Sequence, residues 1–144
     1  MANVISDSFK TDLLKGTFNF DSSGGSTFKL ALYTDISGLT TSTTAFTTTN
    51  EVSTSGTNYT SGGNTLTNSG VAVGSNIAFV DFADLTSSSV TLSAVGALIY
   101  KSGGSNEAVL VLDFGGTKTA TNGDFVVQFP TASSSAAIIR LGNA

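Results

Sequence analysis

An all-β fold is what this chain predicts: one antiparallel β-sandwich or small barrel, with a short N-terminal helix or arm. Three observations carry that expectation. The apolar segments are short, and breaks rich in Gly, Ser, Asn and Asp separate them at regular intervals. Two of them, Gly96 to Tyr100 and Ala108 to Phe114, are apolar at nearly every position, as strands buried on both faces are. The chain holds a single Pro among 144 residues, so little interrupts strand pairing. A chain of this length buries roughly 68–70% of its unfolded surface, enough for one core without covalent staples.

Taken in order, Ile5 to Lys15 is the one helix candidate. Ile5, Phe9 and Leu13 fall four apart on one stripe, Ser6 or Ser8 can cap the start, and Gly16 can supply a left-handed stop. Such a short helix needs something to pack on, either the open end of the sheet core or a neighbouring subunit. Thr17 to Phe20 reads as a short strand and Asp21 to Ser26 as a turn. Thr27 to Tyr33 alternates, with Phe28, Leu30 and Leu32 inward and Lys29 outward.

Gly38 to Gly63 is rich in Thr, Ser, Asn and Gly, with Leu39, Phe46, Val52 and Tyr59 as spaced apolar anchors. That spacing predicts a long ordered loop with one or two edge strands. Asn64 to Val73 and Ile77 to Phe82 read as strands around a tight Gly74-Ser75-Asn76 reversal. Asp84 to Ser88 reads as a turn leading into Val90 and Leu92. A hairpin loop at Lys101 to Glu107 joins the two doubly buried strands, and Leu110 and Leu112 lie on the second of them, the most central strand of the fold. A polar connection from Gly115 then leads to a strand at Phe125 to Phe129, and Ala136 to Leu141 closes the fold. About eight or nine strands result. No boundary separates two cores, so residues 1–16 form the arm or short helix and 17–144 a single sandwich domain.

Composition narrows the chemistry. The chain has no His, which removes the usual general base, His-dependent nucleophile systems and most zinc and copper sites. It has no Cys, so no disulfide or thiolate site forms. Charged residues make up 11% and the formal net charge is −4, with no basic patch, which argues against nucleic acid as a partner. Ser and Thr supply roughly three residues in ten, well above ordinary usage, so hydroxyls do much of the solvating. The start of the chain lacks the pattern of a signal peptide, and its longest apolar run is too short for a membrane helix; the expectation is no membrane partner and synthesis in a cytoplasm.

Carboxylates are the remaining candidates for chemistry. Asp81 and Asp84 lie three apart, while Asp113 and Asp124 flank the Gly115 to Gly123 segment. Loop carboxylates of this kind can bind calcium or, as a converging pair, hydrolyse glycosides without His. No EF-hand spacing supports the first, and turn capping or solvation accounts for all four. Gly115-Gly116-Thr117-Lys118-Thr119 lacks the spacing of a phosphate loop and reads as a sheet-edge turn. Asn58-Tyr59-Thr60 matches a glycosylation acceptor, and without a secretion signal the match is expected to have no consequence. Tyr33, Tyr59 and Tyr100 can stack on sugars, but core or strand-face positions with a polar tip at the surface suit them better. No catalytic residue, metal ligand or cofactor is assigned, and the expectation is that the protein is not an enzyme.

Longer stretches carry a likeness. It runs through Ser8 to Gly16, Phe28 to Thr34, Asn50-Glu51-Val52, Gly62 to Leu66 and Phe79 to Asp84. It continues through Gly96 to Tyr100, Leu112 to Gly116, Gly123-Asp124-Phe125, Gln128-Phe129-Pro130 and Ile138-Ile139-Arg140. In these the chain resembles a group of small β-rich virion structural proteins of tailed bacteriophages. The resemblance implies a capsid decoration or cement protein that binds the outer surface of the head and stabilises it. Its partner is then the major capsid protein, its state a homo-oligomer such as a trimer, and its location the virion, after assembly in the host cytoplasm. The alternatives are a tail, neck or fibre component, and a carbohydrate-binding module for host attachment. The N-terminal arm or the Leu39 to Gly63 loop is the expected docking surface, although Leu39 to Thr49 contains no shared motif.

Overall fold

A computed structural model describes residues 3–143. The fold is mostly β, with antiparallel sheets in a sandwich-like arrangement and one short helix near the N-terminus. The elements are β1 (Val4–Ile5), α1 (Asp7–Leu14), β2 (Phe28–Tyr33), β3 (Asn64–Thr65), β4 (Asn68–Gly74), β5 (Ile77–Phe82), β6 (Leu85–Lys101), β7 (Ala108–Val127) and β8 (Ile139–Leu141). One sheet has the order β1-β7-β6-β2-β3 and the other β4-β5-β8.

The hairpin of β6 and β7 is the frame. Its registers run from Tyr100 opposite Ala108 to Leu85 opposite Val127, with several shifts on the way. The 115–124 segment, expected as a polar connection, is therefore strand, and so is most of the 84–88 stretch expected as a turn. The first carries Thr117, Thr119 and Thr121 and the second Thr86, Ser87 and Ser88, and β-branched or small polar side chains suit a ribbon with one wet face. Val90, Leu92, Ala120, Phe125 and Val127 supply its buried side. The strand ends at Val127, not at Phe129.

Two cores explain why the central strands are apolar throughout. Phe28, Leu30, Leu32, Ala97, Ile99, Val109 and Leu110 face the main core, together with Val80, Phe82 and Ile139 of the second sheet. Ala31, Tyr33, Leu98, Tyr100, Ala108 and Val111 face the opposite side, where Ile36 and Leu39 cover them. β2 is thus buried on both faces along Leu30 to Tyr33, beyond the one-sided alternation its sequence suggests. The Thr-rich loop is the lid over this second core. It forms no edge strands, only the isolated bridges Tyr33–Glu51 and Ala45–Glu107. Leu112 lies at the margin of the main core, only partly buried, and Leu110 is the fully enclosed residue of the pair.

The helix begins later than its periodicity suggests, because Ile5 pairs with Leu110 in β1. Ser6 occupies the N-cap position but does not cap. Its hydroxyl donates to the Thr43 carbonyl at 2.6 Å and lies 2.7 Å from the Ser8 hydroxyl, tying the helix to the lid. Gly16, at φ +80°, ends the helix in a left-handed cap. Gly16 N–H donates to Leu13 O at 3.1 Å and Thr17 N–H to Asp12 O at 3.0 Å, the paired closure of a Schellman motif. Phe9 enters the main core, its ring edge-on to Phe18 at 4.8 Å and to Phe20 at 6.1 Å. The N-terminal segment is therefore packed on its own chain. Thr17 to Phe20, expected as a strand, forms no ladder and instead delivers these two rings to the core.

The remaining expectations divide. Asn64 to Val73 is two strands in different sheets, since Leu66 and Thr67 carry the chain across from β3 to β4. Ile77–Phe82 is a strand as read, and Ser75 and Asn76 at φ 51° and 65° give a type I′ reversal before it. At the end of the chain, 136–138 is not strand; only Ile139–Leu141 pairs, with β5.

Candidate functional site

An open groove of about 500 Å³ lies beside the outer edge of β7. Its cause is local. Ala94 pairs with Lys118 but Gly96 pairs with Asp113, so β7 bulges between them against one residue of β6. Gly115 and Gly116, at φ 72° and 141°, permit that excursion. Phe114 is turned toward Phe125, with ring centroids 6.0 Å apart, and Phe129 forms a further part of the lining against Phe82, also at 6.0 Å. Asp113, Lys118, Asp124 and Gln128 give the same groove a polar rim.

The structure thus brings Asp113 and Asp124 to one cleft, while Asp81 is buried and Asp84 exposed, with the Asp84 charge near enough to help raise the Asp81 pKa. The Asp113 carboxylate accepts the Gly115 N–H at 2.8 Å, and this bond holds its pKa below the ordinary value. Asp84 is exposed and accepts the Phe129 N–H at 2.8 Å, clamping the chain where it leaves β7. Asp113 plays the turn-capping part that the sequence suggests, whereas Asp84 holds a segment 45 residues away. Among the described residues no group of three or more His, Cys, Asp or Glu gathers as a metal site would require.

Asp81 is different. It is only 2% exposed, its Oδ1 accepts the Phe82 N–H, and its Oδ2 has no hydrogen-bond partner among the described residues. Burial raises its pKa, because desolvation penalises the carboxylate more than the acid. The folded state therefore holds this proton more tightly than the unfolded chain, so this site adds stability as pH falls through its raised pKa and opposes folding above it. Asp81→Asn is expected to raise stability at neutral pH and to lose that advantage toward pH 4. The amide Nδ2 would still lack an acceptor, which holds the gain to about 1 kcal/mol. Urea melts of both proteins across that pH range check it; an equal difference at every pH would contradict the assignment.

The three tyrosines are core residues, and their hydroxyl tips are bonded inside the protein. Tyr33 donates to Thr47 O at 2.6 Å and Tyr100 to Gly62 O at 2.7 Å. Tyr59 donates to Glu51 Oε1 at 2.9 Å and accepts the Leu32 N–H at 3.0 Å. Burial pushes all three pKa values up. Glu51 also receives Ser61 Oγ at 2.7 Å and Gly62 N–H at 2.6 Å. This network fastens the lid to β2, and it leaves no tyrosine face free to stack on a sugar. Asn58 of the acceptor pattern donates to Ser89 O at 3.2 Å.

The bulge that makes the groove was not legible in sequence. Gly115-Gly116 marks a break, but only the register with β6 shows that the strand resumes beyond it. Comparison of the chain with family models, with curated proteins and with solved structures finds no match.

Proposed function

We propose that this protein is a structural component of a tailed-bacteriophage particle, a decoration or cement protein on the outer surface of the head. The reading is supported by the resemblance described above, which runs in order along nearly the whole chain. A rigid two-sheet domain with a second core under its longest loop suits a part that must hold shape on a particle surface. Of the two docking surfaces expected from the sequence, the Leu39 to Gly63 loop is the one favoured here. The N-terminal segment is engaged with its own core, while Thr40, Thr41, Ser42, Thr44, Thr48 and Thr49 of the lid are exposed and positioned by anchors beneath them. A contact through the lid gains from repetition over the many equivalent sites of a capsid.

Labelling whole particles with antibody against this chain tests the reading. Label spread over the heads is the expected result. Label confined to tail, neck or fibres moves the chain to the runner-up role, and its absence from purified particles overturns the proposal. A carbohydrate-binding module keeps one observation in its favour: the groove joins half-buried Phe114 and Phe129 to Asp124 and Gln128, an apolar floor with a polar rim. Glycan binding by the purified protein that Asp124→Asn abolishes would transfer the conclusion there.

A further inference from the structure

We propose that the outer edge of β4 is a self-association site, where a second copy of this chain adds its own β4 antiparallel. The two three-stranded sheets would then run on as one sheet across the interface. The inference goes beyond the particle role and rests on separate observations.

Among the described residues β4 is an edge strand, paired only with β5. Residues opposite one another in the ladders share a face, so Val71, Val80 and Ile139 form one row and Val73, Ala78 and Leu141 the next. The first row starts in the main core at Val80 and Ile139. Its outer end at Val71 is 58% exposed, and the second row has run beyond the sandwich, leaving Val73 75% and Leu141 55% exposed. Leu14, 87% exposed, ends the helix whose Leu13 borders the same apolar hollow. These are four of the five large exposed hydrophobic side chains among the described residues.

The edge also lacks the usual defences. Exposed edge strands are commonly guarded by charge, Pro or a bulge. No Asp, Glu, Lys, Arg or Pro occurs between Glu51 and Asp81. The one bulge lies between Asn68 and Val71, so Val71 to Gly74 is regular. Arg140 pairs with Phe79, on the opposite face from the apolar rows, and its guanidinium donates to Ser134 O at 3.1 Å.

These features select a second copy as the occupant. A two-fold contact sets a patch against itself, which an uncharged strand tolerates and a charged one does not. With Ala72 on the two-fold axis, Val71 of each copy lies beside Val73 of the other on the same face. The half-exposed row of one protomer is then continued by the row of its partner that begins in the core.

The absence of Cys from the natural chain makes the register testable. Directly opposed residues in an antiparallel pair have Cα atoms about 4.5–5.5 Å apart, within the roughly 4.4–6.8 Å that a disulfide spans. Ala72→Cys is expected to oxidise to a covalent dimer, while Thr121→Cys, exposed on the β7 ribbon, is not. Light scattering is expected to show a dimer for the natural chain. Val73→Lys should weaken it at least about tenfold with unchanged circular dichroism. A chain that stays monomeric, an oligomer indifferent to Val73→Lys, or no cross-link at position 72 would each overturn the proposal. Particle labelling does not depend on these outcomes, so the two proposals fail separately.

Discussion

Phe28→Ala is expected to remove about 3–5 kcal/mol of stability, a large part of the roughly 5–15 kcal/mol that a domain of this kind possesses. Phe28 is almost wholly enclosed at the start of β2, and its ring joins parts of the chain that no ladder connects. It stacks on Phe20 at 4.6 Å with the planes 6° apart, and it lies 6.4 Å from Phe18 and 5.6 Å from Phe82. Phe20 reaches Phe9 of the helix, and Phe82 belongs to the second sheet. One truncation therefore loosens the seam between helix, first sheet and second sheet together. Urea unfolding measures the loss; a change below about 1 kcal/mol would mean that the aromatic cluster does not join the layers.

Gly63→Ala is the second large effect, and its cause is backbone geometry. Gly63 sits at φ +75°, where an L side chain costs roughly 1–2 kcal/mol. A Cβ there would overlap the carbonyl of Leu30, which cannot move because Leu30 is held in β2 against Asn64 and Ile99. Forced overpacking of that kind costs about 1–3 kcal/mol more. The expected loss is about 2–5 kcal/mol. Gly56→Ala separates the two causes, since Gly56 has a similar φ of 72° and nothing within 4 Å of the added carbon. It should show the conformational cost alone, and equal losses at the two positions would refute the packing argument.

These positions also show how far sequence reading carries. The β2 and β5 strands, the doubly apolar stretches at Gly96 to Tyr100 and Ala108 to Phe114, and the left-handed stop at Gly16 were legible because each has a local physical signature. What local pattern cannot encode is which surface covers which. Tyr33 and Leu98 read as strand residues, but only the path of the Thr-rich loop explains why both are buried from the far side. Thr17 to Phe20 alternates like a strand, although its rings are used for aromatic packing and its backbone has no ladder partner. The reverse holds at 115–124, where glycines and polar residues hide a strand whose register is set by β6. The groove was partly legible: Asp113 and Asp124 flank one segment in the sequence, but the bulge that brings them with Phe114 into one cleft depends on pairing across the hairpin.

A density map of the intact particle is the most direct test of the proposed placement. The expected result is a small two-sheet domain at repeated sites on the outer capsid surface, with the 40–49 lid turned toward the major capsid protein. Density for this chain on the tail alone, or its absence from the particle, would contradict that placement.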